Sequence, residues 1–116
     1  MRRGATTDRL VSASPASEAA LKTCSLVCKQ VVATYLSEEE APQSEFGRRL
    51  LRAAAAIDAA AAAIAADGDE RRSTFAIAAP ICRAAADECR RSGFDPRLLR
   101  AAAACERAAA VCEFGL

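Results

Sequence analysis

The sequence predicts an all-α fold, an antiparallel up-and-down four-helix bundle, over residues 15–116. Alanine supplies 31 of the 116 residues, whereas β-branched and aromatic side chains are few, and this composition favours helix over strand. Proline, glycine and acidic residues divide the chain into four segments joined by short connections, a spacing typical of up-and-down bundles. We expect residues 1–14, which precede the first helix signal, to form an N-terminal extension.

Proline, acidic residues and glycine bound the first two predicted helices. Ser14-Pro15 offers an N-cap followed by proline at the first helical position, and the helix runs to about Leu36. An acidic linker over residues 37–42 separates it from a second predicted helix over residues 43–66. Gly68 then ends the second helix, because glycine adopts the left-handed conformation that closes a helix.

The last two predicted helices have similar signals at their ends. Asp69 is the expected N-cap of a third helix that ends at Ser92-Gly93. Asp95-Pro96 starts a fourth helix, which Gly115 closes. Pro80 lies inside the third helix and is expected to bend it, because proline removes one backbone hydrogen bond.

Each predicted helix carries an apolar stripe at alternating steps of three and four residues, the spacing of inward-facing positions in a bundle. The stripes are Leu21, Cys24, Cys28, Val31 and Tyr35; Leu50, Ala54, Ile57, Ala61 and Ile64; Phe75, Ala78, Cys82, Ala85 and Cys89; and Leu98, Ala102, Cys105, Ala109 and Cys112. All six cysteines lie on these stripes, so we expect all six thiols to face the core. From their depth in an up-and-down bundle, five should cluster mid-bundle, with Cys89 nearer a loop.

The six inward cysteines predict a site for a soft metal. Thiolates favour Cu(I), iron–sulfur clusters and zinc, but the short-loop cysteine pairs usual for zinc are absent. The chain has no histidine, which removes Ser-His and Cys-His nucleophile pairs and mixed Cys/His zinc sites, so we do not expect an enzyme. The alternative is that the cysteines are inert core residues or form disulfides, because free cysteine is also a small hydrophobic residue.

The cysteine runs also carry a resemblance. The C-terminal half contains Cys82-Arg-Ala-Ala-Ala-Asp-Glu-Cys89, then Phe94-Asp-Pro, then Cys105-Glu-Arg-Ala-Ala-Ala-Val-Cys112, and the first helix contains Cys24-Ser-Leu-Val-Cys28. These runs resemble the cysteine-rich four-helix-bundle copper-storage proteins, which carry inward cysteine ladders on successive helices. The resemblance implies Cu(I) bound along the core and, as in members that lack a signal peptide, a cytoplasmic location.

The cysteine ladder is sparser than in the richer members of that family. Ala85 and Ala108 stand where such members have a further cysteine, and the second helix has none. The sequence therefore predicts a small-capacity copper store or chaperone that uses the thiolates of Cys24, Cys28, Cys82, Cys89, Cys105 and Cys112. Two alternatives stay open: an electron carrier with an iron–sulfur cluster on four of these cysteines, and a metal-free oligomeric interaction bundle that uses Leu26, Phe46 and Phe114.

Charge and hydropathy argue against a nucleic-acid partner and against a membrane span. The net charge is +1, and the arginine doublets lie beside acidic residues rather than along one basic face, so we expect no nucleic-acid partner. No run of about 18 apolar residues is present, so we expect no membrane span. The expected partner is a metal ion, with homo-oligomers as a further possibility, in a reducing cytoplasm.

Overall fold

The computed structural model describes residues 15–66 and 70–114, which form four helices and, within those ranges, no strand. The helices are α1 (Pro15–Tyr35), α2 (Glu45–Ala66), α3 (Glu70–Arg91) and α4 (Pro96–Phe114). Each helix packs against two others, in the cyclic order α1, α2, α3, α4 and back to α1. The predicted all-α class is therefore confirmed. The N-terminal extension and the end signals at Ser14, Gly68, Asp69 and Gly115 lie outside the described residues.

The helix ends are defined by local hydrogen bonds. Asp95 caps α4 as predicted, since its Oδ1 accepts from the Arg97 amide at 2.8 Å. Helix α2 begins at Glu45 rather than at the predicted residue 43, because Ser44 is its N-cap. The Ser44 hydroxyl accepts from the Gly47 amide at 3.2 Å and satisfies a donor that the first turn leaves unpaired.

The acidic linker is a compact turn. Ser37 and Glu40 form a reciprocal pair in which each backbone amide donates to the other side chain, at 2.9 and 3.1 Å. This turn buries Ala41 against the start of α2. A methyl group at Gly47 would overlap the Ala41 carbonyl oxygen, so glycine is required at this crossing.

The core is built mainly from alanine and cysteine, with Leu21, Leu50 and Ile57 as the largest fully buried apolar side chains. The small side chains let the helix axes approach closely. Tyr35, predicted to face inward, is instead 40% exposed, because its hydroxyl donates to Asp95 at the end of the bundle. Three other expectations were also wrong in part: the inward Ala61 and Ile64 and the outward Phe46 are all half-buried.

Helix α3 continues through Pro80, whose ring lies on the exposed side of the helix. Because Pro80 has no N–H to donate to the carbonyl of Ala76, that carbonyl is unpaired, and Ala76 lies on the exposed side of the helix, where water can reach it. None of the helices in the described ranges has the length and hydropathy needed to cross a bilayer.

Candidate metal centre

All six cysteines are buried and none is in a disulfide. Five have no solvent exposure, and Cys112 is 7% exposed. The expectation that every cysteine faces the core is therefore confirmed. Their role as metal ligands stays a prediction and depends on how the sulfur atoms are arranged.

Three of the thiols meet at the α1–α4 interface. Cys24 donates to the Sγ atom of Cys105 at 3.8 Å, and the Sγ atoms of Cys28 and Cys105 are 3.5 Å apart. All three sulfur atoms lie within 4.8 Å of one another, and we call this group the thiol triad. Among the described residues it is the one group of three or more potential ligands that lie this close together, and Cys82 also contacts Cys24.

Helix geometry explains the triad. Cys24 and Cys28 are four residues apart, which places their side chains one above the other on the same face of α1. Cys105 projects from α4 toward both of them. Ala101 and Ala108, on neighbouring turns of α4, are fully buried and leave room for this close approach.

The sulfur separations fit a three-coordinate ion. With a metal–sulfur distance of about 2.3 Å, trigonal coordination places the sulfurs about 4.0 Å apart. The separations of Cys105 from Cys28 and from Cys24, 3.5 and 3.8 Å, are within half an ångström of that value. A tetrahedral ion would fit similar spacings, at about 3.8 Å, but needs a fourth thiolate at the same distance. The number of sulfurs therefore favours a metal that accepts three thiolates, as Cu(I) does.

The positions of the remaining three cysteines follow from the register of α3 and α4, which is set by ion pairs between these two helices. Arg83 forms an ion pair with Glu113 and also donates to Glu106 at 2.8 Å. Arg90 donates to Glu106 at 2.7 Å. These pairs fix the register of the two helices, because each joins a residue of α3 to a residue of α4 across their interface.

Each arginine of these pairs, and each glutamate, directly follows a cysteine in the sequence. The pair Arg83–Glu113 therefore places Cys82 level with Cys112, and the pair Arg90–Glu106 places Cys89 level with Cys105. Electrostatic effects on the thiols agree with this register, since Cys89 acts on Cys105 and Cys82 contacts Cys24. On α3 and α4 the cysteines thus form two levels, Cys82 with Cys112 and Cys89 with Cys105, while Cys24 of α1 contacts both Cys105 and Cys82.

The environment of the thiols favours their neutral form. The pKa of Cys24 is raised well above its usual range, chiefly by its contact with Cys105 and further by Cys82 and burial. For Cys28, the contact with Cys105 lowers the pKa, but Cys24 and burial raise it more, so the net shift is upward. For Cys105, the contact with Cys24 lowers the pKa, while Cys28 and burial raise it, again with a net rise.

The two outer thiols are shifted by burial. Burial raises the pKa of Cys89 to about 11, and the neighbouring Glu88 adds to the rise. Burial likewise raises the pKa of Cys112 to about 11, with smaller effects from Cys24 and Glu113. At neutral pH these thiols hold their protons, so a bound metal must displace protons as it enters.

A polar clamp between α1 and α2 lies beside the two triad cysteines of α1. Ser25 donates to Asp58 of α2 at 2.6 Å, and Lys29 donates to the same carboxylate at 3.1 Å. The Ser25 hydrogen bond is the main cause of the lowered pKa of Asp58. Sequence reasoning missed this clamp. The available signal was that Ser25 and Lys29 each directly follow a cysteine and, being four residues apart, share a face.

Four packed helices around a buried set of thiols, without a histidine anywhere in the chain, define a helical protein with a candidate thiolate metal site. The chain belongs to the copper storage protein (Csp) family, whose family model matches residues 12–115. This match confirms the resemblance seen in the cysteine runs. Comparisons with curated proteins and with solved structures find no match.

Proposed function

We propose that this protein is a small-capacity Cu(I) store or chaperone of the cytoplasm. The observation that carries the proposal is the thiol triad, whose 3.5 and 3.8 Å sulfur separations suit one three-coordinate ion. Membership of the copper storage family supports copper as the metal. The role is binding and transfer rather than catalysis.

All six cysteines serve as ligands in this proposal. The triad supplies three thiolates, and Cys82, Cys89 and Cys112 bring the total in the core to six. Six thiolates at three per ion hold about two Cu(I) ions. Ala85 and Ala108, both fully buried where a further ladder cysteine would stand, limit the capacity to that range.

We also propose an antiparallel up-and-down order for the helices. Tyr35, at the end of α1, bonds Asp95, just before the start of α4, while the middle of α1 meets the middle of α4 at Cys105. Contacts in that order indicate helices that run in opposite directions. The short connection over residues 92–95 and the compact linker between α1 and α2 support the same order for the neighbouring pairs.

The cytoplasmic location rests on the state of the cysteines. Six buried thiols without a disulfide suit a reducing compartment, where thiols persist and Cu(I) is the stable copper ion. In an oxidising compartment, the 3.5 Å contact between Cys28 and Cys105 would invite oxidation to a disulfide.

The test is an anaerobic titration of the reduced protein with Cu(I) in competition with a chromophoric chelator. The unaltered chain is expected to outcompete the chelator for the first ion. A variant with Cys24, Cys28 and Cys105 all changed to alanine is expected to lose that ion. The matched control is the triple variant of Cys82, Cys89 and Cys112, which retains the first ion but has lower capacity. Equal loss in both variants would contradict the triad as the primary site.

The iron–sulfur alternative makes a different prediction. A cluster needs four cysteines arranged around inorganic iron and sulfide, whereas the triad brings three sulfurs close to contact and favours a single ion. Elemental analysis and the visible spectrum of anaerobically purified protein separate the two, because an iron–sulfur protein is brown and a Cu(I)-thiolate protein is colourless.

The metal-free interaction bundle is tested by the oligomeric state. Leu26 and Phe114 are exposed, as that hypothesis expects, although single exposed apolar residues are ordinary on protein surfaces. Sizing chromatography of the reduced chain with and without Cu(I) measures assembly apart from metal loading.

A further inference from the structure

The thiol triad offers three sulfur atoms to a bound atom and no ligand of another kind. The sulfur of Cys105 lies 3.5 Å from that of Cys28 and 3.8 Å from that of Cys24. Within the described ranges, no fourth cysteine and no carboxylate lies within 4.8 Å of all three sulfurs, and the chain has no histidine. The triad therefore suits a bound atom that is satisfied by three sulfurs.

The triad lies in a core without charged side chains. Its three cysteines have no solvent exposure, and the buried polar residues among those described are two serines, Ser17 and Ser25. Three thiolates bring three negative charges to whatever they bind. With Cu(I) the complex keeps two of these charges, whereas with a trivalent centre it is neutral. Because an uncompensated charge is costly in an apolar interior, these surroundings favour a trivalent centre.

The sulfur separations also suit a trivalent centre that carries a lone pair. Trivalent arsenic binds three thiolates as a pyramid, with its lone pair in the fourth direction. A pyramidal centre lies outside the plane of its sulfurs and so draws them closer together than the roughly 4.0 Å of a planar site. The separations of Cys105 from Cys28 and from Cys24 are both below that planar value.

The surroundings of Cys105 can accommodate a lone pair without a further ligand. Ala101 and Ala108, on the neighbouring turns of α4, are fully buried and offer only methyl groups. A zinc ion would need a fourth ligand in this direction, whereas a lone pair needs none. The apolar core beside the triad therefore favours the metalloid over a tetrahedral metal.

We propose that the thiol triad is also a binding site for arsenous acid, the uncharged hydroxide of trivalent arsenic. The ligand class is a trivalent metalloid with three exchangeable hydroxyl groups. The function is sequestration of the metalloid as a neutral complex inside the bundle. This inference goes beyond the copper function and does not depend on it, because it is drawn from the three thiols and their surroundings alone.

The binding step is a condensation that balances without a redox partner. The thiols of Cys24, Cys28 and Cys105 each give their proton to one hydroxyl group of arsenous acid. Three arsenic–oxygen bonds break, three arsenic–sulfur bonds form, and three water molecules leave. Arsenic remains As(III). Because the reagent and the product are both uncharged, no ion has to be transferred from water into the apolar core.

The first test measures how arsenic is bound. The reduced, metal-free full chain is incubated anaerobically with arsenite and examined by native mass spectrometry and by arsenic X-ray absorption. We expect one arsenic atom per chain, a mass gain of one arsenic less three hydrogens, and three sulfur neighbours without oxygen. Absence of uptake, or arsenic that keeps an oxygen neighbour, would overturn the proposal.

The second test assigns the three ligands with matched variants. The triple variant of Cys24, Cys28 and Cys105 to alanine is expected to lose the arsenic, and the triple variant of Cys82, Cys89 and Cys112 is expected to keep it. Circular dichroism checks that both variants fold. Cys105→Ser, which replaces one sulfur by oxygen with little change in volume, is expected to lower the affinity by more than about 100-fold. Equal loss of arsenic in the two triple variants would overturn the assignment.

The copper titration separates this inference from the proposed function. A chain that binds arsenic but not Cu(I) would refute the copper function and leave the metalloid site in place. A chain that binds Cu(I) but not arsenic would refute the metalloid site alone.

Discussion

Arg90 donates a hydrogen bond to Glu106 at 2.7 Å across the α3–α4 interface and so sets Cys89 level with Cys105, the residues that precede them. Both side chains of the ion pair are partly exposed, and such a pair contributes only about 0–1 kcal/mol to stability. The main consequence of the pair is therefore the register of the two helices. That register decides which thiols share a level of the core.

Loss of a triad ligand should weaken binding of the first copper ion more than loss of an outer cysteine. Loss of a residue that only holds a metal ligand in place lowers the affinity about 10–100-fold. Because Cys105 is itself a ligand in the proposed site, we expect Cys105→Ala to lower the affinity by more than this. Cys82→Ala, in the same core but outside the triad, is expected to have a smaller effect. Competition with a chelator measures both affinities. A larger loss in Cys82→Ala would contradict the triad as the primary site.

Copper affinity should rise with pH. The pKa values of Cys24, Cys28 and Cys105 are all raised, so the triad is protonated at neutral pH and must release protons on binding. Three displaced protons raise the logarithm of the binding constant by about three for each pH unit between pH 6 and 8. Chelator competition at several pH values, corrected for the chelator's own titration, measures this slope. A flat profile would mean that the ion does not displace thiol protons.

The metal-free fold should lose stability in alkaline solution. Burial raises the pKa of Cys89 and Cys112 from 9.0 to about 11 in the folded chain, so the unfolded chain loses those protons first as the pH rises. A group whose folded pKa is raised stabilises the fold below the unfolded pKa and loses that effect through the folded pKa. Urea unfolding of the reduced chain should therefore show falling stability between about pH 9 and 11. The variant Cys89→Ala/Cys112→Ala should show a shallower fall.

Gly47→Ala should destabilise the fold. Alanine in a helix is normally better than glycine by about 0.5–1 kcal/mol. Here the added methyl group overlaps the Ala41 carbonyl oxygen, and the resulting strain should cost about 1–3 kcal/mol. Urea unfolding measures the sign directly, and a stabilised variant would show that the linker turn is not held against α2.

Replacement of two serines of α1 by alanine should change the stability of the fold in opposite directions. Ser17→Ala removes a buried hydroxyl without a partner and should stabilise the metal-free chain by about 1 kcal/mol. Ser25→Ala breaks the 2.6 Å hydrogen bond to Asp58 and should destabilise it by about 1 kcal/mol. Denaturant titration of both variants measures the difference. The same sign for both would contradict the unpartnered state of Ser17.

The sequence by itself determined the helices and their inner faces. Capping by Asp95, the apolar stripes and the burial of all six cysteines follow from local hydrogen bonding and the helical period, which involve residues within one or two turns of one another. The likeness of the cysteine runs to copper storage proteins is likewise present in the sequence. The N-cap at Ser44 was missed because Pro42, the last residue of the acidic linker, is of a type that favours the first position of a helix and so placed the predicted start at residue 43.

Only the tertiary structure decided which thiols meet. The period of α1 brings Cys24 and Cys28 to one face, but their contact with Cys105 depends on the register and close approach of α4. The register is set by pairs such as Arg90 and Glu106 and by the small alanines that pack between the helices. The residues that make these contacts belong to different helices and are far apart in sequence. The physical reason is that the direction in which a side chain points depends on the period of its own helix. A metal site, in contrast, requires short distances between side chains of two helices.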